Sequence, residues 1–317
     1  MDSEDEGVAT VSCAGGLRVQ FTKEIKRTTV QGSLLTLKVE GLLGGHSGQD
    51  IDKERQNADL LMARMIQRLL KETKGQLVSF NGGTKDNAIP RECEASLIYE
   101  SDEEAAKAEE LACELAETYA EELTPAEPDF SCEISCETNR TAEAIPQDAA
   151  KEFICAMRLA PNGIQKRNIK MDGFVVVSLN LGVVRTEEDR IVMIFSPRSS
   201  VASLQEDTKE RLNTLAETFG FTVSHSSEYP GWSFKEDSPV REICKESYKE
   251  LFGEDLKIEA IHAGLECGLF SDAIKGLDAI AIGPTIANCH TPDEYLTLDS
   301  FERFYEFLKD ILSRLAK

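Results

Sequence analysis

The sequence predicts two kinds of fold in one chain: an α+β sandwich, followed by part of an α/β domain. Predicted elements in residues 17–136 follow the order β-β-α-β-β-α-β, which is typical of one antiparallel sheet with helices on one side. After residue 228 the order changes to strand, helix, apolar strand and helix, the rhythm of an α/β domain with parallel strands. A length of 317 residues fits about two domains.

Hydrophobic spacing identifies the elements of the first part. Leu35, Leu37 and Val39 alternate with polar residues, which predicts a strand over residues 34–41. In residues 52–71 the apolar side chains recur about every 3.6 residues, which predicts an amphipathic helix. The other elements expected here are a strand end before Gly16, strands at 17–22, 77–81, 94–99 and 130–136, and a helix at 102–123.

Residues 141–227 follow a similar order of elements without any repeat of sequence. We expect helices at 147–159 and 201–219 and strands at 174–185, 190–196 and 222–225. The turn-rich segment from Tyr229 to Ser233 then marks a boundary. Beyond it we expect helices at 240–252 and 300–316, strands at 257–261 and 279–282, and a helix that starts after a glycine-rich loop. Asp299 and Glu302 form a capping-box pattern at the start of the last helix.

The charge balance excludes several classes of partner. The chain has 57 acidic and 35 basic side chains and a net charge of −22, so nucleic acid and anionic membranes are not expected to bind it. Hydrophobic residues make up 41% of the chain, which is too many for a disordered acidic tail. No apolar run approaches the roughly 20 residues that a membrane span needs, and the first residues lack the features of a signal peptide. We therefore expect a cytoplasmic protein.

The cysteines and histidines are few enough to weigh one by one. The nine cysteines are scattered and include no Cys-x-x-Cys pair, which favours free thiols in a reducing compartment over disulfides or a structural zinc site. The four histidines are His46, His225, His262 and His290.

Two glycine-rich segments of the first part carry polar side chains of possible catalytic use. Gly44–Gly48 lies between a strand and a helix, where a sharp turn would expose His46 as a donor to a developing oxyanion. A flexible loop in which Ser47 caps the helix explains this pattern equally well. In the second segment, residues 82–91, the amide of Asn87 would suit a carboxylate or carbonyl, although such a residue more often bonds its own backbone in a turn.

Two similar segments occur after the boundary. Residues 260–268 end a strand at a glycine turn that exposes Glu266, the usual place for ligands in open α/β sheets. Cys267 near His262 suggests a thiol nucleophile with its base, but neighbours in sequence rarely form such a pair. In residues 283–294, His290 follows an apolar strand and precedes a proline-braced acidic turn, where a neutral imidazole suits a divalent cation.

Taken together, these segments resemble the M20 family of dinuclear-zinc metallopeptidases, and the resemblance runs from Asp2 to the C-terminus. It is carried by residues 2–7, 13–16, 44–48, 87–90, 229–232, 262–268 and 290–294. The family fold is a zinc-exopeptidase-like α/β catalytic domain with an inserted α+β lid. The resemblance therefore implies that residues 1–16 begin the catalytic segment, 17–227 form a lid and dimerisation domain, and 228–317 form the C-terminal part of the catalytic domain.

The resemblance also implies a metal site and a catalytic group. Asp2 matches a ligand of one divalent ion and His290 a ligand of the other, with zinc expected and manganese or cobalt as alternatives. His46 matches the lid histidine that polarises the scissile carbonyl and stabilises the tetrahedral intermediate.

Four further positions match substrate-binding residues of the family. Asn87 and Arg198 correspond to lid residues that hold the C-terminal carboxylate of the substrate, for which the guanidinium fork is well suited. Gly264 and Glu266 lie where the family lines the pocket for the N-terminal residue, so that Glu266 would pair with a free α-amino group.

The resemblance implies that the complete protein hydrolyses dipeptides, Xaa-His among them, and that it forms a homodimer. The family's other metal ligands and its general base precede the position of Asp2, and no His-x-Asp occurs in this sequence. Two ligands cannot hold two zinc ions, so we expect this chain to be a truncated form that is inactive alone. The alternative is a non-catalytic module for lid-mediated oligomerisation or peptide binding.

Overall fold

The computed structural model describes residues 3–169, 173–288 and 291–316. Within these ranges the strands and helices are numbered in chain order. The strands are β1 Val8–Cys13, β2 Gly15–Glu24, β3 Thr28–Glu40, β4 Gly45–His46, β5 Gln76–Gly82, β6 Ala88–Ile89, β7 Cys93–Tyr99, β8 Ser131–Ala144, β9 Gly163–Asn168, β10 Phe174–Thr186, β11 Arg190–Ser199, β12 Thr222–Tyr229, β13 Lys257–Ile261, β14 Ala281–Ile282, β15 Ile286–Ala287 and β16 Tyr295–Leu296. The α-helices are α1 Ala58–Glu72, α2 Asp102–Leu123, α3 Gln147–Leu159, α4 Ala202–Thr218, α5 Pro239–Phe252, α6 Glu266–Ala273 and α7 Leu298–Leu315, and a 3₁₀ turn covers Ile51–Lys53. None of these helices is both long and apolar enough to cross a bilayer.

Nine strands of the described ranges form one large antiparallel sheet. Its order is β12-β2-β11-β10-β5-β7-β3-β8, and β9 pairs with β10 beside this path. Helices α1 to α4 pack with the sheet into one hydrophobic core, in which the rings of Phe80 and Phe153 meet edge to face at 5.4 Å. The predicted α+β sandwich is therefore confirmed.

The large sheet mixes strands that are far apart in sequence. β2 pairs with β11 and β12, so that Val19 lies opposite both Phe195 and His225. β5 joins β10 where Gly82 lies opposite Val184. The elements after residue 141 therefore extend the first sheet instead of forming a second one.

A smaller sheet of three strands carries the α/β pattern. β1 lies in its centre, with β13 parallel on one side and β14 antiparallel on the other. Helices α5 and α7 pack beside it, and the rings of Tyr248 and Phe307 meet edge to face at 5.2 Å. The expectation of parallel strands is right for β13 and wrong for β14, which runs back along β1 for two residues only.

Local sequence explains some of the helix ends. The Asn57 side chain accepts hydrogen bonds from the backbone amides of Asp59 and Leu60 at the start of α1, and the Ser238 side chain caps α5. α5 ends at Gly253, whose φ of 77° is a left-handed conformation that favours glycine. The capping box predicted at Asp299 is wrong: Thr297 is the N-cap residue of α7, and Asp299 lies in the first turn, where its charge still favours the helix dipole.

The chain crosses between the two sheets at two places that lie side by side. Only Ala14 separates β1 of the small sheet from β2 of the large one. The return crossing is tied to the first, because Cys13 and Trp232 exchange backbone hydrogen bonds of 3.0 and 2.9 Å. The crossings approach so closely that a Cβ on Gly15 would lie 2.4 Å from the amide nitrogen of Gly231.

We call residues 15–229 the nine-stranded unit and the remaining described residues the three-stranded unit. The finer domain bounds 1–16, 17–227 and 228–317 remain a prediction.

Candidate functional site

His46 projects from a short hairpin of the nine-stranded unit. It is the second residue of β4, which pairs with β6, and the chain reaches it through Gly44 and Gly45 with φ of 61° and 138°. The ring Nδ1 accepts hydrogen bonds from the backbone amides of Gly48, at 3.2 Å, and Gln49, at 3.0 Å. With Nδ1 acting as an acceptor, the proton of the neutral ring is on Nε2, which is left to donate outward.

The surroundings of His46 keep its ring neutral. Partial burial and the nearby positive charge of Arg198 lower the pKa of His46 below its ordinary value, while Asp50 opposes them. Asp50 also accepts a hydrogen bond of 2.8 Å from the His46 backbone amide, which fixes the turn. His46 is therefore a positioned, uncharged hydrogen-bond donor.

Asn87 lies directly beside this hairpin. Its backbone carbonyl accepts a hydrogen bond of 2.9 Å from the Ser47 amide, next to His46. Its side chain is exposed and makes no hydrogen bond to any residue within the described ranges. The structure thus brings Asn87 and His46 onto one local element with the Asn87 amide free for a ligand.

Buried polar side chains of the large sheet hold the Asn87 segment in place. Asn180 Nδ2 donates to the Ala88 carbonyl at 2.8 Å, and Ser196 Oγ donates to the Asp86 carbonyl at 2.8 Å. The segment lies so close to β10 that a Cβ on Gly182 would be 2.4 Å from the Asp86 carbonyl oxygen.

Arg198 is a buried cation in the middle of the sheet. It lies on β11 opposite Ser178 of β10 and Gly16 of β2, and only 8% of it is exposed. Nη1 donates to the Tyr229 hydroxyl at 2.8 Å, whereas the buried Nε has no hydrogen-bond partner among the residues that the structure describes. A buried guanidinium that has no counter-ion within the described ranges favours binding of an anion such as a carboxylate.

His46, Arg198 and His262 come together around Gly48. A Cβ on Gly48 would lie 2.3 Å from the His262 carbonyl oxygen, 3.1 Å from His46 Cε1 and 3.3 Å from Arg198 Nε. Only a glycine leaves the three groups at these positions. The contact also joins the two units, because His262 belongs to the three-stranded unit and the others to the nine-stranded unit.

His262 was considered in the sequence only as a base for Cys267, and the structure does not support that role. The residue is 6% exposed, and Nε2 lies 2.7 Å from Ser178 Oγ. Burial, with smaller effects of Arg198 and His46, lowers the pKa of His262 to about 3, against an opposing contact with the Val175 backbone. A ring so hard to protonate is a poor general base at neutral pH.

The other two predicted substrate residues lie on the loop after His262. A Cβ on Gly264 would be 2.8 Å from the ring of Tyr229, whose hydroxyl accepts from Arg198, so Gly264 lies beside the same cluster. Glu266 is the first residue of α6 and is exposed. The roles of both in binding remain predictions.

A cleft adjoins this cluster. Its volume is about 800 Å³, and it lies between the two units, with Gly48, Phe174 and His262 among the residues that line it together with Phe234 and Ile261. The space is large enough for a small peptide.

The predicted metal ligands Asp2 and His290 lie outside the described residues. Within the described ranges no group of three or more His, Cys, Asp or Glu side chains is arranged to hold a metal ion. The described residues alone therefore do not make a dinuclear metal site; what they provide is a neutral hydrogen-bond donor, His46, and a buried cation, Arg198.

Comparison with known proteins gives concordant matches. The model of peptidase family M20/M25/M40 matches residues 37–314. The cytosol non-specific dipeptidase of Escherichia coli (strain K12) is 32% identical over 320 residues, which cover 99% of this chain and 65% of that protein. The crystal structure of aminoacylhistidine dipeptidase from Vibrio alginolyticus superposes with a TM-score of 0.93 at 33% identity, over 98% of this chain and 64% of the other. The chain thus spans just under two thirds of the length of these relatives.

Proposed function

This chain belongs to peptidase family M20/M25/M40, and we propose that the whole protein is a metal-dependent dipeptidase that acts on Xaa-His and other dipeptides. The observation that carries this proposal is the convergence beside Gly48 of a neutral imidazole donor, His46, and a buried cation, Arg198, which has no counter-ion among the described residues. A dipeptide offers the two matching groups, a carbonyl to polarise and a carboxylate to bind, one residue apart.

We assign the roles as follows. His46 donates from Nε2 to the scissile carbonyl oxygen and stabilises the negative charge that develops there. Arg198, with Asn87 beside His46, binds the C-terminal carboxylate and so sets the distance between that end and the reacting bond. Gly264 and Glu266 adjoin the N-terminal residue, whose ammonium group would pair with the Glu266 carboxylate.

Membership of this family implies the use of divalent metal ions. We propose two, as zinc, with manganese or cobalt as alternatives, and Asp2 and His290 as one ligand of each. Because the described residues hold no metal cluster, the roles above concern only side chains of this chain and do not depend on the identity of the ions.

We further propose a homodimer in the cytosol. The outer strand β8 has 14 residues, most of them exposed, and its free edge is of the kind that pairs with another strand. The cytosolic location rests on the name of the Escherichia coli relative and on the scattered free cysteines. Sedimentation velocity would show a single species of twice the chain mass, and a monomer at micromolar concentration would contradict the dimer.

The experiment that tests the activity compares a dipeptide with its C-terminal amide. For the whole protein loaded with zinc or manganese, we expect Arg198→Met to raise KM for the dipeptide about 100-fold and to leave KM for the amide unchanged. His46→Ala should instead lower kcat for both substrates by about 100-fold or more.

Arg211→Met is the matched control, because Arg211 is an exposed arginine on α4 of the same unit. It should leave both parameters at their wild-type values. Equal effects of Arg198→Met on the acid and the amide would contradict the carboxylate assignment, and no turnover of any dipeptide by the loaded whole protein would contradict the proposed activity.

A further inference from the structure

His262 is the one member of the cluster around Gly48 without an assigned role. Its ring is almost completely buried, and its Nε2 is 2.7 Å from the Ser178 hydroxyl across the boundary between the two units. Phe174, four residues before Ser178 on β10, meets the ring at 6.2 Å and nearly at right angles. The imidazole is thus held by specific contacts from β10.

The partner of His262 is also the strand neighbour of Arg198. Ser178 and Arg198 lie directly opposite each other on β10 and β11. Side chains of directly opposite residues in an antiparallel pair project on the same face of the sheet and are in contact distance. His262 is therefore adjacent to Arg198 at two places. One is Ser178, and the other is Gly48, where the His262 carbonyl oxygen and Arg198 Nε both lie within 3.3 Å of the position that a Cβ would take.

The charge of the groups around Arg198 is unusual. Among the described residues, the Tyr229 hydroxyl accepts a hydrogen bond from it, and it interacts with the rings of His46 and His262, both of which have a lowered pKa. No acidic side chain forms an ion pair with it in the part of the chain that the structure describes. Most buried arginines are paired with a carboxylate, since an unpaired buried charge is costly.

We propose that His262 is a positioning residue for Arg198: it fills the space beside the guanidinium with a neutral, hydrogen-bonded ring, fixes the cation in place and leaves its charge for a ligand carboxylate. The ligand class is the C-terminal carboxylate of a short peptide, and this inference rests on the binding role given to Arg198 under the proposed function. His262 itself does not touch the reacting atoms.

The test replaces His262 by two residues of nearly equal size that differ in charge. Asparagine keeps a neutral hydrogen-bonding group, whereas aspartate places a counter-ion next to Arg198 inside the protein, where charges interact strongly. If the role of His262 were only structural, the two substitutions would change ligand binding equally.

Binding is measured on the folded 317-residue chain by the Nε–H resonances of arginine in ¹H–¹⁵N NMR, with the dipeptide Gly-His and its C-terminal amide as probes. We expect wild type to bind the acid at least tenfold more tightly than the amide. The dissociation constants of His262→Asn should stay within threefold of those of wild type for both probes. His262→Asp should raise the dissociation constant of the acid at least 30-fold and change that of the amide less than threefold.

His225 supplies the control, because its ring Nε2 also meets a side-chain oxygen, that of Asn213 at 3.0 Å, but at the exposed surface. His225→Asn and His225→Asp should both bind like wild type. If His262→Asp does not fold, Ser178→Ala serves instead, because it removes the hydrogen bond of the imidazole. This variant should weaken binding of the acid about fivefold and leave binding of the amide unchanged.

The outcomes separate this inference from the proposed function. If wild type binds acid and amide equally, the carboxylate role of Arg198 is wrong and the role of His262 falls with it. If wild type prefers the acid and His262→Asp or Ser178→Ala keeps that preference in full, only the role of His262 is wrong.

Discussion

Asp59 offers the sharpest test of the energetics of the nine-stranded unit. It is the second residue of α1 and is completely buried, and neither carboxylate oxygen has a hydrogen-bond partner among the described residues. Gly82 lies so close to it that a Cβ on this glycine would overlap with Asp59 Oδ1. The same Cβ would be 2.9 Å from the Cys93 sulfur. Burial raises the pKa of Asp59 from the ordinary 3.8 to about 8, against the opposing effects of Cys93 and Arg185.

The consequence for stability has a definite sign. Between pH 3.8 and about 8 the folded protein keeps the proton on Asp59, whereas the unfolded chain has lost it. The unfolded state then binds fewer protons, so the free energy of unfolding falls as the pH rises through this range. The loss is about 1.4 kcal/mol for each pH unit, or roughly 4 kcal/mol by pH 7, and it levels off above the folded pKa.

Asp59→Asn removes this titration with almost no change of shape. We expect wild type to lose about 3 kcal/mol more than Asp59→Asn between pH 5 and pH 7.5, measured by urea unfolding followed by circular dichroism at fixed salt. When the free energy of unfolding is plotted against pH, the offset between the wild-type and Asp59→Asn curves also contains the cost of burying the amide group, about 1–3 kcal/mol, which does not depend on pH. The slope is therefore the quantity to compare.

Asp207→Asn is the matched control, since Asp207 is an exposed aspartate within α4. Its curve should run parallel to that of wild type over the whole range. If the curve of Asp59→Asn also ran parallel to wild type, the reasoning from burial to protonation would be refuted.

Three further predictions concern the candidate site. In ¹⁵N NMR the free chain should show His46 with its proton on Nε2 and a titration midpoint below 6.5, because burial and Arg198 lower its pKa; a midpoint above 6.5 would contradict the assigned environment. Gly48→Ala should lower the free energy of unfolding by about 2 kcal/mol, measured by urea unfolding, because the added methyl would meet the His262 carbonyl at 2.3 Å; an unchanged value would show that this contact is not tight. Asn180→Ala should cost about 1–3 kcal/mol in the same assay and shift the amide resonances of Ala88 and His46, since it removes the donor that holds the Asn87 segment; unshifted resonances would mean that the segment does not depend on Asn180.

Local patterns in the sequence were sufficient for most helices but not for the bounds of α1, β3 and β8. The helix predicted from residue 52 begins only at Ala58, after the 3₁₀ turn, and the strands predicted at 34–41 and 130–136 cover only parts of β3 and β8. α2 and α3 begin and end where the apolar spacing and the flanking prolines indicate, because caps and amphipathic faces are encoded within a few residues. The start of α7 was misplaced because Asp299 and Thr297 are both good cap residues, and the pattern does not tell which one the helix uses.

Long-range pairing could not be predicted in the same way. Nothing near β2 indicates that it pairs with β11 about 170 residues later, since strand partners are chosen by the packing of the whole sheet. The order of the nine strands and the position of β14 therefore could not be predicted from the sequence.

The candidate site also combines residues that the local sequence predicts with residues whose position depends on long-range packing. His46 and Asn87 stand in glycine-rich turns, whose local pattern marks them. His262 also precedes a glycine turn, but that pattern does not predict its burial or its bond to Ser178, which arise from segments that are distant in sequence. A lone histidine at the end of a strand looks the same whether it is a surface residue or a buried neighbour of a cation.

The adjacent crossings at Gly15 and Gly231 determine how the two units can move. Two units that are connected at two neighbouring crossings share one line about which rotation is geometrically possible, and the hydrogen bonds between Cys13 and Trp232 restrain sliding at that line. His46 and Arg198 lie on one side of the line and His262 on the other. The cluster around Gly48 therefore has members on both sides of this line, so its geometry depends on the angle between the two units.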